Sequence, residues 1–462
     1  MFANSFHGDE ALFASWARQI AVWRDPLLTT QLVDKPPLLF YLQALFYPLL
    51  GPVEWAARLP NWIASLLLVP LVGRKVYGWF RDWQTAVIAT LFLAFSPLAI
   101  QFSPTAFTDP LLVLWLWLSL PTAKTKSHHV GLFFGLALLT KHQAWLFLPL
   151  IVVLGWHFAW EYNQWRNWFL GWLPALVLLV GWEIGRSGTF ALWTRQIDNF
   201  GGLRLIWSWE LWPRLAAWGE LGQTAVSSIP ILIALAASLL VILWRTFRGQ
   251  KTAIANYLVL FVVGYIAFHW LVAIPTWERY LLPIWPLLAA IFAYELSFLD
   301  HAKAQRHKDF FPHLCAFAPL RAIFLIPFLA ILLWVPAVQA QNGRLPLGST
   351  PTSDDGAATV AAYLADQPYG TVLYDHWYSW QWRYHLFDKR VFVSWFPHGD
   401  ALLDDLAVFS QQDGVRFIVL PKRPVSQAIH RILRNANYQL TPIPLAADTE
   451  MSLYRLSQGA TP

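Results

Sequence analysis

From residue 56 to residue 339 apolar stretches follow one another with only short polar breaks, and this dictates a membrane-embedded fold. A helix needs roughly 20 apolar residues to cross the hydrocarbon core of a bilayer. Ten stretches read as spans: 56–73, 84–102, 109–123, 128–141, 143–160, 167–186, 225–244, 252–273, 280–298 and 318–339. The fourth is short, and 128–160 also reads as one long helix interrupted at Lys141-His142. Only 13% of the chain is charged, about half the ~25% of a soluble domain. The 29 tryptophans suit a chain with two membrane–water interfaces, where an indole has an apolar body and a wet N–H.

The basic residues set the orientation. Arg74, Lys75 and Arg81, then Lys124 and Lys126, Arg166, Arg245, Arg248 and Lys251, and finally Lys303, Arg306, Lys308 and Arg321 all fall on one side of a ten-span chain, which is then cytoplasmic. The connections 103–108, 142, 187–224 and 274–279 fall outside, with residues 1–55 and the C-terminal tail. The net charge of +6 is therefore read as topology and not as nucleic-acid binding, since no block of five like charges exists. Cys315 is the only cysteine, so no intrachain disulfide forms. An outer N-terminus with no hydrophobic helix before it suggests a start placed too late, in preference to unaided crossing.

The polar leader carries two charged clusters, His7-Gly8-Asp9-Glu10 and Asp34-Lys35-Pro36-Pro37. Between them residues 10–24 put Leu12, Phe13, Trp16, Ile20 and Trp23 at helical spacing, with Arg18, Gln19 and Arg24 off the stripe, which predicts an amphipathic interfacial helix. The run after Lys35 is too short to span and reads as a second interfacial or re-entrant helix. Asp9 and Glu10 read either as a carboxylate base at the membrane surface or as acids favoured at a helix N-terminus. Lys35 reads as a phosphate contact or as a loop lysine paired with Asp34. Asp109 is a helix cap or a functional membrane-edge acid. Lys141 needs an anionic partner or marks a helix break, and His142 beside it is a weak metal-ligand candidate. Arg58 and the pair Arg279-Tyr280 sit at outer span ends, as phosphate clamps or headgroup anchors.

From about residue 342 the composition shifts. Residues 342–356 read as a polar linker. After it come a helix at 357–367, strands at 371–377 and 391–396, a helix at 400–412, a strand at 417–421, a helix at 425–436 and a strand at 451–456, which together make a small α/β domain. The domain organisation is thus 1–341 membrane domain, with 1–55 as its outer loop, and 342–462 soluble domain. No phosphate-cradling glycine loop or Ser-His-Asp pattern is present.

In order and spacing, Asp9-Glu10, Asp34-Lys35-Pro36-Pro37-Leu38, Ala57-Arg58-Leu59-Pro60, Thr108-Asp109-Pro110-Leu111, Gly135 to Lys141 (GLALLTK) and Arg279-Tyr280-Leu281-Leu282-Pro283 resemble the polytopic GT-C glycosyltransferases of the protein-mannosyltransferase and aminoarabinose-transferase type, over roughly residues 8–290. The resemblance implies an all-α polytopic membrane domain with a small extracytoplasmic α/β domain. It implies a multi-pass protein of the plasma (inner) membrane that moves a sugar, with inversion, from a polyprenyl-phosphate donor to a lipid, glycan or protein acceptor on the outer face. On it Asp9 is the catalytic base, with Glu10 in support, and Asp109 orients acceptor or base. Lys35 contacts the donor phosphate, with Arg279, Arg58, Tyr280 and Lys141 as further contacts. The family usually has Glu where this chain has Asp34, which puts a direct role for Asp34 in doubt. No cofactor is required; Asp9, Glu10, Asp109 and His142 offer metal donors, but the polyprenyl-phosphate branch generally does without a metal. A transporter or lipid flippase is the competing class, and it predicts two related halves with charges near the bilayer midplane.

Overall fold

The structure, a computed structural model, describes residues 4–249, 253–308, 331–408 and 414–459. The first part of the 318–339 stretch, with Cys315, Arg321 and Lys251, lies outside them. Contacts group the chain into two compact units, Met1–Phe2 with Ala17–Gly348, and Ala3–Trp16 with Ser349–Pro462.

The first unit is helical. In chain order the helices are α1 (Gly8–Ala21, which enters this unit at Ala17), α2 (Leu38–Leu50), α3 (Glu54–Phe80), α4 (Trp83–Ala94), α5 (Pro97–Phe102), α6 (Asp109–Ser119), α7 (Ser127–Thr140), α8 (Leu148–His157), α9 (Tyr162–Ser187), α10 (Leu192–Asp198), α11 (Leu211–Val226), α12 (Ile229–Phe247), α13 (Ala253–Leu271) and α14 (Trp285–Lys308), followed by α15 (Ile331–Gln341). Five segments among the described residues are long and apolar enough to cross a bilayer: α3, α9, α12, α13 and Glu278–Ser297. Helices α2, α4, α6, α7 and α15 are apolar but shorter.

Two expected spans stop early, each for a local reason, and the break expected at Lys141-His142 is present. The stretch 84–102 breaks between α4 and α5, because Pro97 lacks the N–H that would continue the ladder, and Ser96 caps the new start through Ala99 N at 3.5 Å. The 109–123 helix stops at Ser119, ahead of Pro121. The 128–160 run is not one helix: Lys141 is extended (φ −160°, ψ 141°), and a 3₁₀ turn, His142–Phe147, precedes α8. Helix α1 also departs from expectation. Its stripe residues Leu12, Phe13, Trp16 and Ile20 are buried, but so is Arg18, expected off the stripe, together with Ala11, Ala14, Ser15 and Ala17. Small side chains there let the helix be enclosed.

Helices α7 and α9 run side by side in the same direction. A Cβ on Gly135 would lie 2.7 Å from Ala175 Cβ and 3.1 Å from Trp172 Cα, and one on Gly171 would meet Gly131 Cα at 3.0 Å. Gly131 and Gly135 form a small-xxx-small face that lets two backbones touch in an apolar medium. On the other side of α7, α6 packs against α3. Asn61, near the start of α3, donates to Thr105 O (2.7 Å) and Phe107 O (2.5 Å), just before α6. Lys75 and Trp79, near the end of α3, donate to Leu118 O (3.2 Å) in the last turn of α6 and to Pro121 O (2.8 Å) just after it. The starts of α3 and α6 therefore share one end of the bundle with the ends of α7 and α9.

Residues 345–348, expected in a loose linker, are tied down. Gln101 Nε2 donates to Leu345 O (2.7 Å) and Leu347 O (2.5 Å), and Gly348 N donates to Glu278 Oε1 (3.1 Å).

The second unit holds a five-stranded sheet in the order β2-β1-β3-β5-β4, built from β1 (Thr371–Asp375), β2 (Val391–Trp395), β3 (Arg416–Pro421), β4 (Tyr438–Pro442) and β5 (Met451–Gln458). Strands β2, β1 and β3 are parallel; β5 pairs antiparallel with β3 and β4. Alternation sends Leu373, Phe417, Val419, Met451 and Leu453 to a core under α16 (Ala357–Ala365) and α17 (Ser379–His385). Tyr374, Ile418, Leu420 and Leu456 face the opposite core, under α18 (Gly399–Val408) and α19 (Ser426–Asn435). The expected elements are present; α17 and the edge strand β4 were not legible.

Candidate active site

In the first unit the end shared by α6, α7 and α9 gathers most of the expected residues. Asp109 opens α6 behind Thr108, and Lys141 follows the last turn of α7. Their side chains meet: Lys141 Nζ donates to Asp109 Oδ1 at 2.6 Å, with both residues buried. The Lys141 ammonium also sits 5.0 Å from the Tyr280 ring centroid. Arg279 packs its guanidinium over Trp277 (4.1 Å) and Phe107 (5.2 Å), a cation–π seat that holds its plane. Lys35 and Arg279 are both within electrostatic range of Lys141. Lys35 bonds Asp34, Lys141 bonds Asp109, and Arg279 adjoins Tyr280 under the Lys141 ammonium, so basic side chains from three segments meet at this end.

Lys35 is held from two sides. Its Nζ donates to Asp34 Oδ2 and, at 2.7 Å, to Gln196 Oε1. Asp34 Oδ2 also accepts from Asn199 Nδ2 at 2.6 Å. His142 is neither isolated nor grouped with acids: its Nε2 lies 3.3 Å from Asp34 O, and its ring packs 4.9 Å from Trp193. Among the described residues no group of three or more His, Cys, Asp or Glu is arranged to hold a metal ion. Arg58 is fully buried in α3, with Glu54 Oε2 at 3.8 Å.

Several residues in this unit escaped the sequence reading. Tyr265 donates its hydroxyl to Tyr280 O (2.9 Å) and accepts from Gln143 Nε2, which also reaches His269 Nε2 (3.3 Å). This buried chain fixes the backbone under Tyr280. Glu183 and Arg186 are charged and buried at the end of α9. Charges so placed in an apolar helix are the available signal. Behind α6, an apolar cavity of about 350 Å³ is lined by residues including Pro110, Val113, Leu282 and Trp285.

Asp9 and Glu10 belong to the second unit. Asp9, half-buried in the first turn of α1, donates its N–H to His7 Nδ1 at 3.2 Å. Glu10 is fully buried, and its Oε2 accepts from His7 N (3.0 Å) and Ser349 Oγ. It returns to the residue before the helix as the reciprocal half of a capping box does. The segment leading to Asp9 is bound within the same unit: Asn4 Nδ2 to Ser349 O (2.6 Å), Ser5 N to Thr350 O (3.2 Å) and Gln381 Nε2 to Phe6 O (2.7 Å). The buried Phe6 ring meets Tyr384 at 4.9 Å, edge to face.

Residues 34–182, which contain Lys35, Arg58, Asp109 and Lys141, match the family described as dolichyl-phosphate-mannose-protein mannosyltransferase. ArnT from Cupriavidus metallidurans bound to undecaprenyl phosphate superposes with a TM-score of 0.62 at 15% identity, over 98% of this chain and 94% of that one. The apo state of the same ArnT gives 0.60 at 16% identity, with the same coverage. The chain is similar to the glycosyltransferases of the protein-mannosyltransferase and ArnT type. At these identities the structural likeness is one of fold, and it extends through the C-terminal sheet. The chain is a multi-pass membrane protein of that architecture.

Proposed function

We propose that the protein is an integral-membrane glycosyltransferase that takes a sugar from a polyprenyl-phosphate donor. The observation that carries the reading is the convergence of Lys35, Lys141 and Arg279 at one end of the helical unit, where His142 lies 3.3 Å from Asp34 O and Lys141 sits 5.0 Å over the Tyr280 ring, inside a fold that matches ArnT along nearly its whole length. A lipid phosphate lies naturally at the bilayer surface. Lys35 is the donor-phosphate contact and Arg279 the second cation; Lys141 and Tyr280 complete the anion-facing wall, and Arg58 supports it from behind. Cations on a departing phosphate stabilise an oxocarbenium-like transition state by neutralising charge as it forms. The apolar cavity beside Asp109 suits a hydrocarbon chain.

On this reading Asp9 removes the proton from the acceptor nucleophile, the transfer inverts, and Glu10 and Asp109 keep supporting roles. The sugar is a hexose or a pentose, and the acceptor is a lipid, glycan or protein. The site and the C-terminal domain face the outside of the plasma membrane, and the reaction requires no metal or other cofactor.

The test is transfer from a polyprenyl-phosphate sugar by purified full-length protein, beside a direct measurement of undecaprenyl phosphate binding. Lys35→Ala is expected to weaken binding about 10- to 100-fold, the scale of a lost charge-assisted contact. Unchanged binding and transfer in that variant would overturn the reading.

A further inference from the structure

Helix α10 lies in the connection between α9 and α11, and its polar residues converge on residues 33–35. Arg195 Nη1 donates to Val33 O at 2.9 Å, Gln196 Oε1 accepts from Lys35 Nζ at 2.7 Å, and Asn199, just past the helix, donates to Asp34 Oδ2 at 2.6 Å. The seat of α10 is itself fixed. The Oε1 of the buried Glu183 forms an ion pair with Arg195 Nη1 at 2.9 Å, and its Oε2 accepts from Arg186 Nε at 2.8 Å. Arg186 then donates to the carbonyls of Leu28 (3.0 Å), Gln31 (3.1 Å) and Val33 (3.1 Å). One buried carboxylate organises two guanidiniums, and these bind both the helix and the loop that carries Lys35.

We propose that Gln196 and Asn199 are positioning residues for the donor-phosphate cation. The inference rests on Lys35 being that cation. A lysine is a point charge on a long flexible stem, so its value to a phosphate depends on where the stem is held. Asp34 alone could hold it, but at the cost of cancelling the charge it must offer. Gln196 supplies an acceptor without a negative charge. Asn199 occupies the same Asp34 oxygen that Lys35 uses, which shares that carboxylate between a neutral donor and the ammonium. The neutral amide at position 196 therefore keeps Lys35 in place and still attractive to an anion.

The experiment compares Gln196→Ala, Gln196→Glu, Asn199→Ala and Lys35→Ala in the full-length protein. The readouts are undecaprenyl phosphate affinity and the donor KM and kcat for transfer. Gln196→Ala is expected to raise the dissociation constant and the donor KM on the order of 3- to 30-fold, with a smaller change in kcat. Gln196→Glu has the same shape and keeps an acceptor for Lys35, so a purely structural role predicts rescue. The positioning role predicts affinity below that of Gln196→Ala, because the added carboxylate repels the phosphate. Rescue by Glu, or wild-type affinity in Gln196→Ala, overturns the inference. If Gln196→Ala does not fold, Gln196→Glu and Asn199→Ala decide: wild-type donor affinity in both overturns it. Loss of affinity in Lys35→Ala together with rescue by Gln196→Glu sinks this inference alone; wild-type affinity in Lys35→Ala sinks the reading beneath it.

Discussion

Lys141 and Asp109, 32 residues apart in sequence, form a buried ion pair with a 2.6 Å Nζ–Oδ1 separation at the joined ends of α7 and α6. The pair answers the question each residue raised alone. Lys141 in an apolar run needed an anion, and the carboxylate of Asp109, the first residue of α6, supplies it from across the bundle.

Removing one partner leaves a buried charge uncompensated. Asp109→Asn or Lys141→Met is expected to destabilise the protein by about 3–5 kcal/mol, measured as loss of thermal stability in detergent. Asp109→Leu combined with Lys141→Met should recover most of that stability and still lack transfer activity. Retained transfer in the stable double variant would reduce the pair to a structural role.

The contact between α7 and α9 depends on missing side chains. Gly135→Leu would drive a bulky group into Ala175 and Trp172, and overpacking of this kind costs about 1–3 kcal/mol or more. Gly181, with open space around its Cβ position, serves as the control. Thermal melting should separate the two variants, with Gly181→Ala close to wild type.

Asp25 closes the loop that leads to Lys35. Its carboxylate accepts from Thr29 N (2.8 Å) and Oγ1 (3.1 Å), and from Thr30 N (2.8 Å) and Oγ1 (2.6 Å). Burial pushes its pKa up, but the bonds from Thr30 and Thr29 outweigh burial and leave it below the ordinary value of 3.8. A depressed folded-state value means that the stabilisation is present above about pH 4 and is lost as pH falls through the folded value. Amide exchange at Thr29 and Thr30 should accelerate below that point, and Asp25→Ala should show the fast rate at every pH.

Asp9→Asn keeps the size of the side chain and removes its basicity. Transfer is expected to fall at least roughly 100-fold, the scale of a lost general base, with undecaprenyl phosphate binding unchanged. A variant that binds less donor but turns over normally would instead place Asp9 in the binding machinery.

Much of this was legible in the sequence because it is written locally. Apolar length and the succession of strands and helices after residue 357 each report on their own neighbourhood, whereas the breaks at Pro97 and Pro121 were read through as single spans, 84–102 and 109–123. The charged motifs at 34–37, 109 and 141 were also visible, since charge is scarce in such a chain. Pairings were not. Nothing near Lys35 names Gln196, and nothing near Glu10 names Ser349, because those bonds form only after long stretches of helix have turned back. Helix α1 was misjudged for a related reason: Arg18 lies off the apolar stripe and looks wet by periodicity, while alanine and serine around the helix permit close packing.

The peptide between Gly348 and Ser349 divides the two compact units, yet Ala3–Trp16, far away in sequence, groups with Ser349–Pro462 in the second. Asn4, Ser5, Phe6 and Glu10 are bound to residues at 349–384. The C-terminal domain is therefore no detachable module. A protein shortened to its helical bundle would keep its lysines and lose the surface on which the carboxylate of Asp9 is mounted, so truncation and point mutation of that acid should be hard to tell apart by activity.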